Sequence, residues 1–212
     1  QNDDEAVKWL TKAVEQQFLP EGFLFSNESQ RFIKAAEHGI NAAQFYLGMM
    51  YTSGVGVERS ETEAVKLYTL AAEQGYGRAQ NCLGCLYDGG QGVEQNTTEA
   101  VKWYTKAAAQ GILEAQFELG CMFKGGRGVE QSNDEAFKWF IMAAEQGNAE
   151  SQDYIGLMYQ NGEGAEQSAS DAVKWYTRAA EQRHRVAQFS LGLIFKQGNG
   201  VDQSDIEAAK WF

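Results

Sequence analysis

Residues 100 to 111 read Ala100-Val-Lys-Trp-Tyr-Thr-Lys-Ala-Ala-Ala-Gln-Gly111, and variants of this stretch return along the chain at a fixed spacing. Its opening Ala-Val-Lys stands at Ala64, Ala100 and Ala172, with Ala-Phe-Lys at Ala136 and Ala-Ala-Lys at Ala208. Consecutive copies lie 36 residues apart, as from Ala64 to Ala100. A fixed period of this length predicts an array of stacked supersecondary units, each contacting its neighbours, rather than one globular core.

One period, from Ile40 to Gly75, reads as two helices. Ala43, Leu47, Met50 and Tyr51 give Asn41 to Ser53 one apolar face at helical spacing. Gly54-Val55-Gly56-Val57 then ends this first helix, helix A, and turns the chain. The same Gly-x-Gly stands at Gly90/Gly92, Gly126/Gly128, Gly162/Gly164 and Gly198/Gly200. Ser60 followed by Glu63 reads as a capping box opening the second helix, helix B. Asn96 with Glu99, Ser132 with Glu135, Ser168 with Asp171 and Ser204 with Glu207 repeat it. Helix B carries Ala64, Leu67, Tyr68, Ala71 and Ala72 and stops at Gly75.

The copies can be compared with one another. Gly48 recurs as Gly84, Gly120, Gly156 and Gly192. A glycine in mid-helix costs about 1 kcal/mol against alanine, so its retention predicts close approach of helix B to helix A. Tyr51, Tyr87, Phe123, Tyr159 and Phe195 form one aromatic column, and Trp103, Trp139, Trp175 and Trp211 another, with Leu67 in the first copy. Both columns read as packing between helices and repeats.

The pattern Ala43-x-x-x-Leu47-Gly48-x-Met50-Tyr51-x-x-Gly54-x-Gly56-Val57, then Ala64-x-x-x-Tyr68-x-x-Ala71-Ala72-Glu73-Gln74-Gly75, resembles the Sel1-like repeat, a relative of the tetratricopeptide repeat. The resemblance covers about residues 27 to 212, and residues 1 to 17 more loosely. It implies an all-α fold, a right-handed superhelical solenoid of antiparallel helix pairs, with helix A on the concave side. It also implies scaffold or adaptor work, without naming a partner. The repeats are expected at residues 40–75, 76–111, 112–147 and 148–183, with a truncated repeat at 184–212 and an atypical partial repeat or cap at 1–39. In that first segment, Asn2 to Gln17 resembles a helix B, and the stretch Phe18 to Ser26 is too short for a helix A and its turns. A missing helix A, an unusual cap and residues absent from the chain all fit this. The chain starts at Gln1, which fits removal of a leader. Its stop inside a helix B, at Trp211-Phe212, points to a longer array or to ends that stack on another copy.

Columns that vary between copies are free of the stacking constraint. In helix A these are columns 42, 45, 46, 49, 52 and 53, on one side of the helix. They supply the candidate protein-binding face: Phe45, Tyr46 and Met49; Asn81, Cys82 and Asp88; Phe117, Glu118 and Lys124; Asp153, Tyr154 and Gln160; Phe189 and Lys196. Aromatic anchors among scattered charges fit a mainly apolar or mixed peptide. Part of columns 49 and 45 has a plainer reading, as packing against the neighbouring helix A.

Composition bounds the partner. The chain has 212 residues, 43% hydrophobic and 22% charged, as in soluble proteins, and a net charge of −11. That charge argues against nucleic acid or an anionic membrane as the partner, since both need a basic face. No apolar run approaches the roughly 20 residues that span a bilayer. Cys82, Cys85 and Cys121 are too few and odd in number for a disulfide framework, which leans toward a reducing compartment. An exported or host-directed bacterial protein is the alternative. Asn27 and Asn96 stand in short glycosylation sequons.

An enzyme is not expected. His38 and His184 lie about four repeats apart, too far to share a site in a solenoid. There is no Ser-x-x-Lys, no Lys-Thr-Gly and no Walker motif, and the Gly-x-Gly turns lack the context of a dinucleotide fingerprint. Hydrolysis or β-lactam binding, as linked with some cysteine-rich relatives, is therefore the least favoured reading. Cys82-Leu83-Gly84-Cys85 is formally C-x-x-C, but no histidine stands near to complete a zinc site. No cofactor and no metal are expected. Self-association through the aromatic chain end is the remaining alternative.

Overall fold

The computed structural model describes residues 33–55 and 57–212. The expected N-terminal cap, with Phe18 to Ser26, lies outside the described residues for all but its last few positions, which hold helical residues 33–37. The chain divides into two compact units, Gln1–Ile112 and Leu113–Phe212. The first holds α1 (Asn41–Ser53), α2 (Glu61–Glu73), α3 (Gly77–Gly89) and α4 (Thr97–Ala109). The second holds α5 (Leu113–Gly125), α6 (Asn133–Glu145), α7 (Ala149–Asn161), α8 (Ala169–Glu181), α9 (Arg185–Gln197) and α10 (Asp205–Trp211). All described elements are helices, and odd and even numbers are the A and B helices of successive pairs.

Local chemistry sets the turn from helix A to helix B. Gly54, Gly90, Gly162 and Gly198 end their A helices in the left-handed region, at φ 67 to 71°. The side chains of Ser60, Asn96, Ser132, Ser168 and Ser204 then accept the backbone N–H three residues on, at 3.0 to 3.3 Å. The expected capping box closes on one side only. The N–H of each capping residue donates instead to the last turn of its A helix, as from Ser60 to the Tyr51 carbonyl at 3.0 Å and from Ser168 to Tyr159 at 3.0 Å. The acidic residue at the third helical position is thus released. It pairs with a lysine one turn on, as Glu63 does with Lys66 and Glu135 with Lys138, each at 2.6 Å.

Those backbone bonds fold helix B back antiparallel to helix A. The mid-helix glycines then set how closely the pair packs. A Cβ built on Gly120 would stand 2.5 Å from the ring of Phe140, and one on Gly84 2.6 Å from the ring of Tyr104. Gly48 meets Tyr68 and Gly156 meets Tyr176 in the same way. Both Tyr104 and Phe140 are fully buried. The expected close approach is therefore a helix B ring lying on helix A backbone. Alanines of helix B, such as Ala71, Ala107, Ala143 and Ala179, are fully buried beside these rings. Trp103, Trp139, Trp175 and Trp211 are half-buried, and Lys106 and Arg178 lie over the rings of Trp103 and Trp175 at 4.0 and 4.4 Å.

Within each unit, a glutamine near the start of helix A links one helix pair to the one before it. Gln80 in α3 donates to the Ala72 carbonyl at the end of α2 (3.0 Å), and accepts from Gln110 at the end of α4 (2.7 Å). In the second unit Gln152 donates to Ala144 (3.0 Å) and accepts from Gln182 (2.8 Å). Gln44 does the same with Ala36 and Gln74. Gln188 donates to Ala180 at 3.2 Å. The turn before each A helix uses glycine at positive φ at Gly39, Gly75, Gly111 and Gly147, and Arg183 takes that place in the last copy at φ 65°. A non-glycine residue there costs about 1 kcal/mol.

The two kinds of helical glycine give opposite expectations. Gly120→Ala forces a methyl into a ring that is buried and cannot retreat, so it should lose roughly 1–3 kcal/mol despite better helix propensity. At Gly125, the last residue of α5, a Cβ meets only the Arg127 side chain at 3.6 Å. Gly125→Ala should leave stability unchanged or raise it by up to about 1 kcal/mol. Urea unfolding of the two variants checks both.

Candidate protein-binding face

In the first unit the sequence-based face does not survive intact. Phe45 and Tyr46 are 5% and 2% exposed. The Phe45 ring packs on Tyr46, Tyr68 and Tyr76, with centroids 5.1, 5.7 and 5.1 Å away. These two residues are core, because Tyr76 at the start of α3 closes over column 45. The variability of column 45 here reflects a different packing partner rather than freedom from stacking. Met49, Asn81, Cys82 and Asp88 are partly buried. The Asn81 Oδ1 is sealed from solvent and has no hydrogen-bond partner. Burial pushes the Cys82 thiol up to about 12, with the neighbouring Cys85 adding to it. Cys85 is exposed and accepts from the Tyr104 hydroxyl at 3.3 Å. A thiol so disfavoured as thiolate makes Cys82 a packing residue rather than a nucleophile.

The second unit carries the open part of the face. Phe117 on α5 and Tyr154 on α7 are half-buried, with ring centroids 6.2 Å apart. Tyr154 stacks on Phe140 at 4.7 Å and 4°, so the ring that rests on Gly120 is covered from its other side by helix A of the next pair. Phe189 on α9 is 57% exposed and touches only the edge of the core, its ring 5.8 Å from that of Phe212. Glu118 and Cys121 on α5 are half-buried. Burial and the Glu118 charge push the Cys121 thiol up to about 11, with Arg127 opposing. Lys124 pairs with Glu163 across the α5–α7 junction at 2.7 Å, and this holds the Glu163 carboxyl below its ordinary range. Gln160 and Lys196 are exposed at the far ends of α7 and α9.

Asp153 is the charged exception in column 45. Its Oδ1 is sealed from water and lies 3.9 Å from His184 Nδ1. His184 caps α9 with that same nitrogen, which accepts the Ala187 N–H at 3.4 Å. As the acceptor in that cap, the nitrogen does not also donate to Asp153. Among the described residues no three His, Cys, Asp or Glu side chains are grouped to hold a metal ion. No described helix is long and apolar enough to cross a membrane.

The inter-pair glutamines escaped the sequence reading. The available signal was a polar residue fixed one place after a buried small residue: Ala43-Gln44, Ala79-Gln80, Ala115-Gln116, Ser151-Gln152 and Ala187-Gln188.

Burial raises the Asp153 carboxyl above its ordinary range, and His184 opposes this. The folded chain therefore holds that proton more tightly than the unfolded chain. Ionised Asp153 costs stability once pH exceeds the ordinary carboxylate range, near about 4, and the cost is absent below it. Asp153→Asn should raise Tm at pH 8, and the gain should vanish as pH falls below about 4. Paired thermal melts across this range test the sign.

The arrangement matches known proteins over nearly its whole length. The family model described as Sel1 repeat matches residues 1–18, 41–76, 77–112, 113–148, 149–184 and 185–212. A Sel1 repeat protein from Oxalobacter formigenes is 30% identical, with a TM-score of 0.85 over 97% of this chain and 80% of that one. The protein c5321, a protective antigen of uropathogenic Escherichia coli strains displaying an SLR fold, is also 30% identical, with a TM-score of 0.84 over 97% of this chain and 47% of that one. The chain thus spans about half the length of that antigen. The immunity protein Pa5087 from Pseudomonas aeruginosa shares the fold alone, at 20% identity and a TM-score of 0.53. No curated protein matches the chain. Sel1 repeat proteins generally act as protein-interaction scaffolds, and their fold is typically not that of an enzyme. With the repeat profile matched in every described helix pair and the caps, glycines and rings recurring in step, this chain is a member of the Sel1 repeat family, an all-α solenoid of antiparallel helix pairs.

Proposed function

We propose that the chain is a scaffold that binds a partner protein or peptide along the A helices of its second unit. One observation carries the reading. Phe117, Tyr154 and Phe189 hold large rings at equivalent or adjacent columns of α5, α7 and α9, each open to solvent in part or by more than half. The repeat fold does not require aromatics there, since Asp153 and Ser190 occupy the same two columns. Aromatic side chains in this setting are common anchors of protein interfaces.

The surroundings narrow the partner. Glu118 and Asp153 neighbour Phe117 and Tyr154 in sequence on the same two helices, and the chain carries a net charge of −11. The fitting partner is a peptide or protein segment with apolar side chains at intervals and neutral or basic groups between them. Cys121 in column 49 and Lys124, Gln160 and Lys196 in column 52 lie on the same A helices and serve orientation more than affinity. Phe45 and Tyr46 take no part, being core. Charge complementarity gives no role to nucleic acid.

The test is capture of partners from cell lysate on the immobilised chain, followed by titration of the captured protein. Phe189→Ser combined with Tyr154→Ser should weaken binding by about 30-fold or more, each lost anchor contributing as an interface hot spot does. Circular dichroism should show the helices retained. A captured partner that binds the double variant as well as the parent chain would move the interface to another surface and sink the proposal.

A further inference from the structure

We infer a second binding site, for a neutral polyhydroxylated small molecule of about monosaccharide size, in the cleft between α7, α8 and α9. The cleft has a volume of about 560 Å³ and is lined by Gln160, Asn161, Gln167, Ala169, Ala172, Ile194, Asn199 and Gly200. That volume lies within the range of small-molecule sites. Buried Ala172 and Ile194 form an apolar floor, and four exposed amide side chains form the rim. No charged side chain lines it.

Internal repetition explains why the cleft is open. Thirty-six residues earlier, at the α5–α7 junction, Lys124 stands for Gln160 and Glu163 for Asn199. Those two side chains meet at 2.7 Å and bridge the junction. Asn133 there replaces Ala169, and Met158 replaces Ile194. The later junction has lost the bridging ion pair and carries the smaller residue at the start of its B helix.

Hydrogen bonds orient the rim. The Tyr176 hydroxyl donates to Gln160 Oε1 at 3.0 Å, which leaves Gln160 Nε2 as a donor. Gln167 Nε2 donates to the Gln160 carbonyl at 2.8 Å, which leaves Gln167 Oε1 as an acceptor. Asn161 Nδ2 donates to Glu163 at 3.1 Å and Asn199 Nδ2 to Gln197 at 2.9 Å, which leaves their Oδ1 atoms as acceptors. The rim thus offers three free amide oxygens as acceptors and the unused N–H groups of all four amides as donors. Hydroxyl groups match this set because each one both donates and accepts. An ion of either sign finds no counter-charge in the lining, and a purely apolar ligand would strand the rim amides.

The test is a titration of the isotope-labelled full chain, followed by ¹H–¹⁵N NMR. Glucose, galactose and myo-inositol are the neutral probes, and glucosamine and gluconate the charged ones. At least one neutral probe should shift the amide signals of Gln160, Gln167 and Asn199 saturably, with a Kd in the millimolar range. The double variant Gln160→Lys, Asn199→Glu copies the bridged junction and should weaken that binding at least tenfold while leaving the helical signal intact. Ala169→Asn, which copies the earlier junction at a single exposed site, should weaken it too and serves if the double variant fails to fold. Absence of saturable shifts with all neutral probes, tighter binding of a charged probe, or unchanged binding by the folded variants would each overturn the inference.

Discussion

Within each unit, a glutamine near the start of helix A ties one helix pair to the one before it. Each helix pair has its own closure, through the capping residue, the A helix carbonyl and the ring on the glycine. None of these reaches the preceding pair. Gln80 and Gln152 do reach it, from the buried side of helix A to the carbonyl that ends the previous helix B. That carbonyl lies at a helix end, where it also accepts the backbone N–H of the turn glycine, Gly75 or Gly147, at 3.0 Å. The same side chain accepts from the glutamine ending its own helix B, so a single amide fixes three helix ends. A buried polar group must find partners of this quality or be costly, which makes the spacing between pairs specific as well as stable.

The ring-on-glycine contact works inside this frame. Because Gly120 lets Phe140 lie on the α5 backbone, the other face of Phe140 is presented to the next A helix, where Tyr154 stacks on it. The partly open rings of the second unit are therefore a by-product of core packing that reaches the surface. Phe117 and Tyr154 are anchored on their inner sides and open on their outer sides. Such rings are already fixed in orientation and lose little freedom when a partner covers them. The charge at Asp153 sits among them at an energetic disadvantage, which is the kind of local conflict that marks working surfaces rather than structural ones.

What could be read in the sequence followed from how local its cause was. Helix boundaries depended on Ser60, Gly54 and their copies, each acting within a few residues of its own position, and they fall where expected. The glycine columns announced a contact because a glycine in mid-helix is unfavourable without one. The glutamines were invisible for the opposite reason. A polar residue in a helix reads as solvent-facing until the carbonyl it reaches, eight residues earlier in the chain and in another helix, is known. The error at Phe45 had a similar root. Its variability was matched by variability 31 residues on, where Tyr76 packs against it, just as Asp153 is matched by His184. Two columns that vary together mark an exchange of partners within the core.

The glutamine linkage is tested most directly by Gln152→Met. Methionine keeps the length and most of the volume of the side chain and removes both hydrogen bonds. Urea unfolding should show a loss of about 1–2 kcal/mol, with helix content retained. Native-state hydrogen exchange should place the loss at Ala144 to Gln152, where the two pairs meet. A variant as stable as the parent chain, with unchanged exchange at that junction, would show that apolar stacking alone holds the pairs together and would contradict the account.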